Sequence, residues 1–497
     1  MKLLVCACQR RNLMPIATLA CIGLFTLTIG ISIAYTFVDE VAYAEPAINL
    51  LRGEGYRSAA YNVTTASQTH VSTAPAHSVL LYVWLKLFGI SQCSVRSLAA
   101  VLALIGAAVL WRACVRLGWL AGGFSSSLLI ALVLLDYGCA FSYSCGRPDS
   151  LSFLVLATVF YLASFPSRRV TLWFMGAIGL LLPFVQWATV IFTFALCGGL
   201  FFVFGKRILK PALVLSLGMI LGLAAQYFLY SHLGLWDTWM LNIKGEGSAS
   251  ILQRIIDRLT SNPLSHHSNV ISKDITSWIL LAGLGIEFAR SKLSGERLGI
   301  WLGKAAAIIA LAVGVGMYLV GKFPTYYGWM LCAPLAVIIC VYCEKVAARR
   351  RAVFASVVSI GILACAVGLP FQFFVALYDW KDRQPAMIDA WLESKIGKDD
   401  VVYCDFPFYY PAKLRAKRVY AGNYILPMTP AEAQQVTLAI IGTKFTSYDG
   451  TKLDLSKARE KGRWVAGRSS LFGNAFQYGF LSAPNYECIL YDLKNPR

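Results

Sequence analysis

The chain has 497 residues, 57% of them hydrophobic and 14% charged, with a mean hydropathy of +0.60. That balance excludes an ordinary soluble globular protein and places the chain among polytopic membrane proteins. The formal net charge of +19 is dispersed as short Lys/Arg clusters between apolar runs, a pattern that marks cytoplasmic loops of a membrane protein and argues against a nucleic-acid surface.

The first apolar run, Leu13 to Phe37, follows Arg10 and Arg11 and lacks a small-residue cleavage site after a short core. It reads as a retained span with its N-terminus in the cytoplasm. The outer loop 38–96 follows. It opens with Asp39 and Glu40, and Val41, Ala44, Ile48 and Leu51 recur at helical spacing up to Gly53, which predicts a helix lying on the membrane surface. The later run His77-Ser-Val-Leu-Leu-Tyr-Val-Trp-Leu-Lys-Leu-Phe88 is apolar but too short to span, so a second, interfacial helix is expected there. Asn62-Val-Thr64 is a glycosylation sequon, a tripeptide that is frequent by chance.

Further spans are expected near 97–115, 117–136, 150–165, 170–185, 187–204, 211–230, 275–289, 300–320, 328–343 and 352–374, about eleven in all at roughly 20 residues each. The basic clusters Arg112/Arg116, Arg168/Arg169, Lys206/Arg207/Lys210, Arg290/Lys292/Arg297 and Lys345/Arg349/Arg350/Arg351 alternate with less basic loops. This puts the N-terminus inside and the C-terminus outside. On the outer side, Cys145-Gly-Arg-Pro-Asp-Ser150 places Arg147 and Asp149 at a span mouth. Ile251, Leu252, Ile255, Ile256 and Leu259 form one face of an amphipathic interfacial helix, and Gly321-Lys-Phe-Pro-Thr-Tyr-Tyr327 is a short turn with one cation and two phenols.

Beyond Trp380 acidic and basic residues mix as in a soluble domain. Val401 to Cys404 and Val436 to Ile441 read as buried strands, and Thr429-Pro-Ala-Glu432 is a capping box with proline at the first helical position. The expected division is therefore a membrane domain, 1–379, and a small extracytoplasmic α/β domain, 380–497. Of the 14 cysteines, seven, from Cys21 to Cys365, fall in or beside spans and read as buried thiols. Cys404 and Cys488 lie in the outer tail, where the compartment allows a disulfide without the sequence showing that they are close. No Cys or His spacing resembles a zinc site, and no internal repeat is visible.

Ionisable groups at membrane depth are costly and are retained for function or pairing. Here Asp39, Glu40, Arg147, Asp149 and Lys322 share the outer ends of spans. A carboxylate that accepts a proton beside cations that neutralise a leaving phosphate suits glycosyl transfer from a lipid phosphate. Each residue also has a plainer use. Asp39 suits a helix N-cap, and Arg147 with Asp149 a local ion pair of small value. Lys322 suits a snorkelling lysine, and Tyr326 and Tyr327 an aromatic belt. Glu40 is open between metal ligand, acceptor contact and solvated partner of Arg52 or Arg57.

Several segments resemble GT-C glycosyltransferases, in particular the branch of protein O-mannosyltransferases and lipid A aminoarabinose transferases. They are Asp39-Glu-Val-Ala-Tyr43, Asn49-Leu-Leu-Arg-Gly-Glu-Gly-Tyr56, the Pro- and His-bearing helix ending Leu87-Phe-Gly89, Arg96, Gly146-Arg-Pro-Asp149, and Lys322 with Tyr326, Tyr327 and Pro334. The resemblance implies the GT-C fold, a polyprenyl-phosphate sugar donor and Asp39 as catalytic base. It further implies that Glu40, Tyr43, Arg147, Asp149, Lys322, Tyr326 and Tyr327 bind substrate. Where that family opens the loop helix with Pro-Pro, this chain has Ala74-Pro-Ala-His-Ser78. No cofactor is required, although Asp39 with Glu40 offers a divalent-metal site. The expected protein is an inverting glycosyltransferase on the outer face of the cytoplasmic membrane, its acceptor a glycan, lipid or protein. A lipid or solute transporter would carry ionisable groups deep in several spans, and an inactive scaffold would not need Asp39.

Overall fold

The computed structural model describes residues 2–32, 36, 38–60, 69–166, 168–244, 275–293, 327–346, 351–367, 369–378, 385–422, 428–443, 453–456, 458–465 and 486–494. Lys322, Tyr326, the sequon at Asn62, the amphipathic stripe 251–259 and the expected span 300–320 lie outside the described residues.

Helix α1 (Lys2–Phe25) runs into one π-helical turn, Thr26–Gly30. Helices α2 (Val38–Leu51) and α3 (Pro75–Phe88) lie in the loop 38–96. The bundle continues with α4 (Gln92–Arg116), α5 (Gly123–Leu135), α6 (Tyr137–Ser144) and α7 (Asp149–Ala163). Then come α8 (Arg169–Val185), α9 (Trp187–Phe204), α10 (Leu209–His232) and α11 (Trp236–Lys244). After them come α12 (Ile275–Leu293), α13 (Trp329–Val346), α14 (Arg351–Val367) and α15 (Leu369–Tyr378). Among the described residues three helical segments, Asn12–Gly30, Gln92–Arg116 and Gly205–His232, are long and apolar enough to cross a membrane, and a fourth is formed if the bent pair α5 and α6 is one span.

That bend departs from the single span expected over 117–136. Asp136 leaves the helical region (φ −53°, ψ 140°) and its carboxylate accepts from the Cys139 N–H at 2.9 Å, ending α5 and capping α6. The axis turns by 58° there. Apolar residues on both sides hide the break from a hydropathy profile, whereas a buried Asp competing for backbone N–H groups creates it. Between α8 and α10 the backbones nearly touch: a Cβ on Gly179 would collide with the Leu215 carbonyl, and one on Gly218 with that of Gly176. Small residues allow this approach between membrane helices.

The C-terminal unit contains α16 (Pro385–Glu393), α17 (Tyr409–Arg415) and α18 (Pro430–Gln435). Its strands are β1 (Val401–Cys404), β2 (Arg418–Ala421), β3 (Leu438–Gly442), β4 (Arg459–Trp464) and β5 (Cys488–Asp492), in the order β2-β1-β3-β5-β4. β1 is parallel to β2 and β3, while β5 is antiparallel to β3 and β4. The expected capping box is present, with Thr429 accepting from Glu432 N–H and Glu432 accepting from Thr429 N–H. Cys404 pairs in register with Ile440 and Cys488 with Gly442, so β3 separates them and both are free thiols.

α2 does not lie on the surface as its pattern suggested. Val41, Ala44, Ala47 and Ile48 are fully buried, in one apolar cluster with Leu81 and Leu85 of α3 and with Phe408, Tyr409, Tyr410 and Ala412 of the C-terminal unit. Chain from the far end of the sequence covers the face that hydropathy alone assigned to lipid or solvent. α3 keeps an interfacial character, with Val79, Val83 and Leu87 exposed at successive turns.

Candidate active site

The first turn of α2 carries two adjacent acids, and successive helical side chains point about 100° apart. They therefore meet different neighbours. Asp39 pairs with Nη1 of Arg147, and its own side chain is 21% exposed. Arg147 is buried, and its Nε donates to Oδ2 of Asp149 at 2.7 Å. One guanidinium thus sits between two carboxylates, with its centre 5.8 Å from that of the Tyr43 ring.

The turn between α6 and α7 delivers this arginine. Gly146 has φ +59°, where glycine is unstrained, and a Cβ there would meet Val95 Cγ1 at 2.8 Å. Asp149 follows as the first residue of α7, where the helix dipole favours a negative charge. Its Oδ2 also accepts from Ser142 Oγ at 3.5 Å, while Oδ1 is buried without a hydrogen-bond partner. A buried carboxylate oxygen left without a donor is costly, and such groups concentrate where function requires them.

Glu40 is fully buried. Arg96 Nε donates to both of its carboxylate oxygens at 3.0 and 3.1 Å, and Nη2 donates to Oε2 at 2.9 Å. Tyr410 Oη donates to Oε1 at 3.0 Å. Of the three uses open for Glu40, this removes the solvated partnership with Arg52 or Arg57: Arg52 pairs with Glu54 at 2.7 Å instead. Arg96 entered the sequence reading only as part of the family resemblance, without a partner, although an arginine at a span end is itself a signal of pairing; Tyr410 was passed over.

Tyr43 Oη lies 3.4 Å from Thr73 Oγ1, and its ring meets that of His77 edge-on at 6.3 Å. Glu45 anchors the loop beyond α2, accepting from Ser58 Oγ at 2.6 Å and from Ala59 and Ala60 N–H at 2.8 and 2.7 Å. Burial raises its pKa, opposed by Lys413. Tyr327 accepts from Gln186 Nε2 at 3.1 Å, and Gln186 Oε1 accepts at 3.0 Å from Ser152 Oγ, which lies on α7 one turn beyond Asp149. The structure therefore joins Asp39, Tyr43, Arg147 and Asp149 in one constellation, with Tyr327 linked through α7 and Glu40 turned away into its own pair.

Burial pushes the imidazoles of His70 and His77 down to about 4. A pKa below its unfolded value of about 6.5 means that the folded state binds fewer protons. Stability is therefore expected to fall as pH drops through 6.5 and to level off below about 4. Thermal unfolding between pH 7.5 and 4 checks this: His70→Gln with His77→Gln should flatten the slope, and an unchanged slope would refute it.

The fold is similar to those of two solved proteins, one of them known in two states. Among solved structures, the chain is similar to ArnT from Cupriavidus metallidurans bound to undecaprenyl phosphate, at 12% identity and a TM-score of 0.52 over 96% of this chain and 97% of that one. The apo state of the same protein gives a TM-score of 0.53 at 12% identity, with the same coverage. The arabinofuranosyltransferase AftD from Mycobacteria gives 0.50 at 12% identity, covering 98% of this chain and 40% of that chain. No protein-family model matches the sequence, and no curated protein matches it.

Proposed function

We propose that the chain is a glycosyltransferase of the cytoplasmic membrane that moves a sugar from a polyprenyl-phosphate carrier to an acceptor hydroxyl on the outer face, with inversion. The observation that carries this reading is the Asp39–Arg147–Asp149 constellation. The GT-C fold, and ArnT's binding of undecaprenyl phosphate, support it. The membrane domain, 1–379, has about eleven spans of roughly 20 residues, with the N-terminus inside. The domain 380–497 stands outside.

In the proposed reaction Asp39 takes the proton of the acceptor O–H. The acceptor oxygen bonds to the anomeric carbon from the side opposite the phosphate, and the carbon–oxygen bond to phosphate breaks with its electron pair leaving on the polyprenyl phosphate. Contact with a guanidinium favours the ionised carboxylate that a general base needs. In the structure Arg147 is shared between two carboxylates, so its positive charge is already balanced. Arrival of the donor phosphate exchanges the Asp39 contact for a phosphate contact, which releases Asp39 toward the acceptor and couples donor binding to base availability. Lys322 supplies further positive charge to the phosphate, Tyr43, Tyr326 and Tyr327 line the head-group site, and Asp149 holds Arg147. The acceptor is a glycan, lipid or protein.

A divalent cation between Asp39 and Glu40 would have to displace Arg96 from both Glu40 oxygens. The proposed reaction accordingly needs no metal at that pair. Proteoliposomes supplied with undecaprenyl-phosphate-linked mannose, glucose, galactose, arabinofuranose and aminoarabinose should transfer one of these sugars to extracted envelope acceptors, at the same rate with and without EDTA. Failure of every donor would defeat the transferase reading, and loss of rate in EDTA would defeat the metal-free scheme.

A further inference from the structure

The C-terminal unit grips α2 at both ends, and the grip at one end lies beside the proposed base. At the first turn of α2, Tyr410 of α17 donates to Glu40 Oε1 at 3.0 Å. At the last turn, Arg52 donates to the Lys413 carbonyl, while Lys413 Nζ reaches Glu54 Oε2 at 3.1 Å. Tyr410 and Lys413, like Tyr409 and Ala412, stand three residues apart and so share a side of α17, and Tyr409, Tyr410 and Ala412 pack in one cluster with the fully buried Val41, Ala44 and Ile48 of α2. Arg96 completes the arrangement. Besides its three contacts to Glu40, its Nη1 donates to the Ile31 carbonyl at 2.8 Å, which fixes the end of the π-helical turn that precedes α2.

Charge balance at Glu40 does not need the phenol, because Arg96 already faces both carboxylate oxygens. What Tyr410 adds is direction. Burial, then the neighbouring Glu40 carboxylate, hold its pKa well above the ordinary phenol range, so the group remains a donor. Asp39 is the next residue on the same helical turn, and any rotation of α2 that moves Glu40 moves Asp39 with it.

From this geometry we infer that Tyr410 is a positioning residue: acting through Glu40, it holds the first turn of α2 so that Asp39 faces the reacting groups, making the C-terminal unit part of the active site. The inference rests on the function proposed above. Displacement by about 1 Å at a reacting group costs on the order of a hundredfold in rate, so a distant contact of this kind acts on kcat.

Tyr410→Phe keeps the Glu40–Arg96 pair and the packing of the ring, so the variant is expected to fold. Two measurements on the full-length protein in lipid nanodiscs test the inference. Hydrogen–deuterium exchange over residues 38–43 should rise by about tenfold while the β1, β3 and β5 amides stay protected. With whichever undecaprenyl-phosphate sugar the wild type uses, kcat should fall by about ten- to a hundredfold with KM for the donor within about twofold. Unchanged exchange over 38–43 overturns the inference, as does faster exchange with kcat intact. A wild type inactive on every donor overturns the transferase function instead, and the exchange result then still decides whether Tyr410 grips α2.

Discussion

Asp39→Asn is expected to lower kcat by about a hundred- to ten-thousandfold, the usual contribution of a positioned general base. Asparagine keeps the size of the side chain and its amide oxygen can still accept from Arg147, so the contact with Nη1 and the fold of α2 should survive. What is lost is the capacity to take a proton from the acceptor. KM for the donor should stay level or fall and not rise, because Arg147 and Lys322 remain to hold the donor phosphate and a neutral asparagine competes less for Arg147 than a carboxylate does. The split between kcat and KM distinguishes this from collapse of the site. Arg147→Lys is a weaker probe, since lysine cannot keep the two-sided contact to Asp39 and Asp149.

The second large effect concerns stability. Arg96→Met leaves Glu40, fully buried, without its cation, and breaking one side of a buried ion pair costs about 3–5 kcal/mol. Replacing both partners, Arg96→Met with Glu40→Leu, removes the stranded charge and should recover most of that loss, because a buried pair and a packed apolar pair differ little in net worth. Thermal unfolding in detergent micelles checks both variants. A single variant as stable as wild type would refute the importance of the pair, and a double variant no better than the single one would refute its isolation. Tyr410 would keep a donor without an acceptor in the double variant, so recovery should be incomplete.

The parts of this structure that were legible in the sequence are those set by local pattern. The Val401–Cys404 strand, the Thr429 capping box and the helices α8, α9 and α10 follow from a short continuous apolar run, capping chemistry and apolar length. Depth in the membrane put Asp39, Arg147 and Asp149 on one side in the sequence, but the contact between Asp39 and Arg147, 108 residues apart, was not legible there. The burial of α2 was not legible, because its covering residues, Tyr410 and Lys413, stand some 360 to 370 positions away in the chain. For the same reason Glu40 looked solvated until Arg96, 56 residues on, was placed against it. Cys404 and Cys488 each sit in a readable strand, yet the sheet order that keeps them apart depends on β3 entering between them.

The central claim is that Asp39 acts as the base in sugar transfer from a polyprenyl phosphate at the outer face. Its most direct test is label transfer in proteoliposomes with a radiolabelled undecaprenyl-phosphate sugar and envelope acceptor, comparing wild type with Asp39→Asn at equal protein. Transfer by the wild type, and at least about a hundredfold less by the variant, is expected. Equal transfer by the two proteins would contradict that claim.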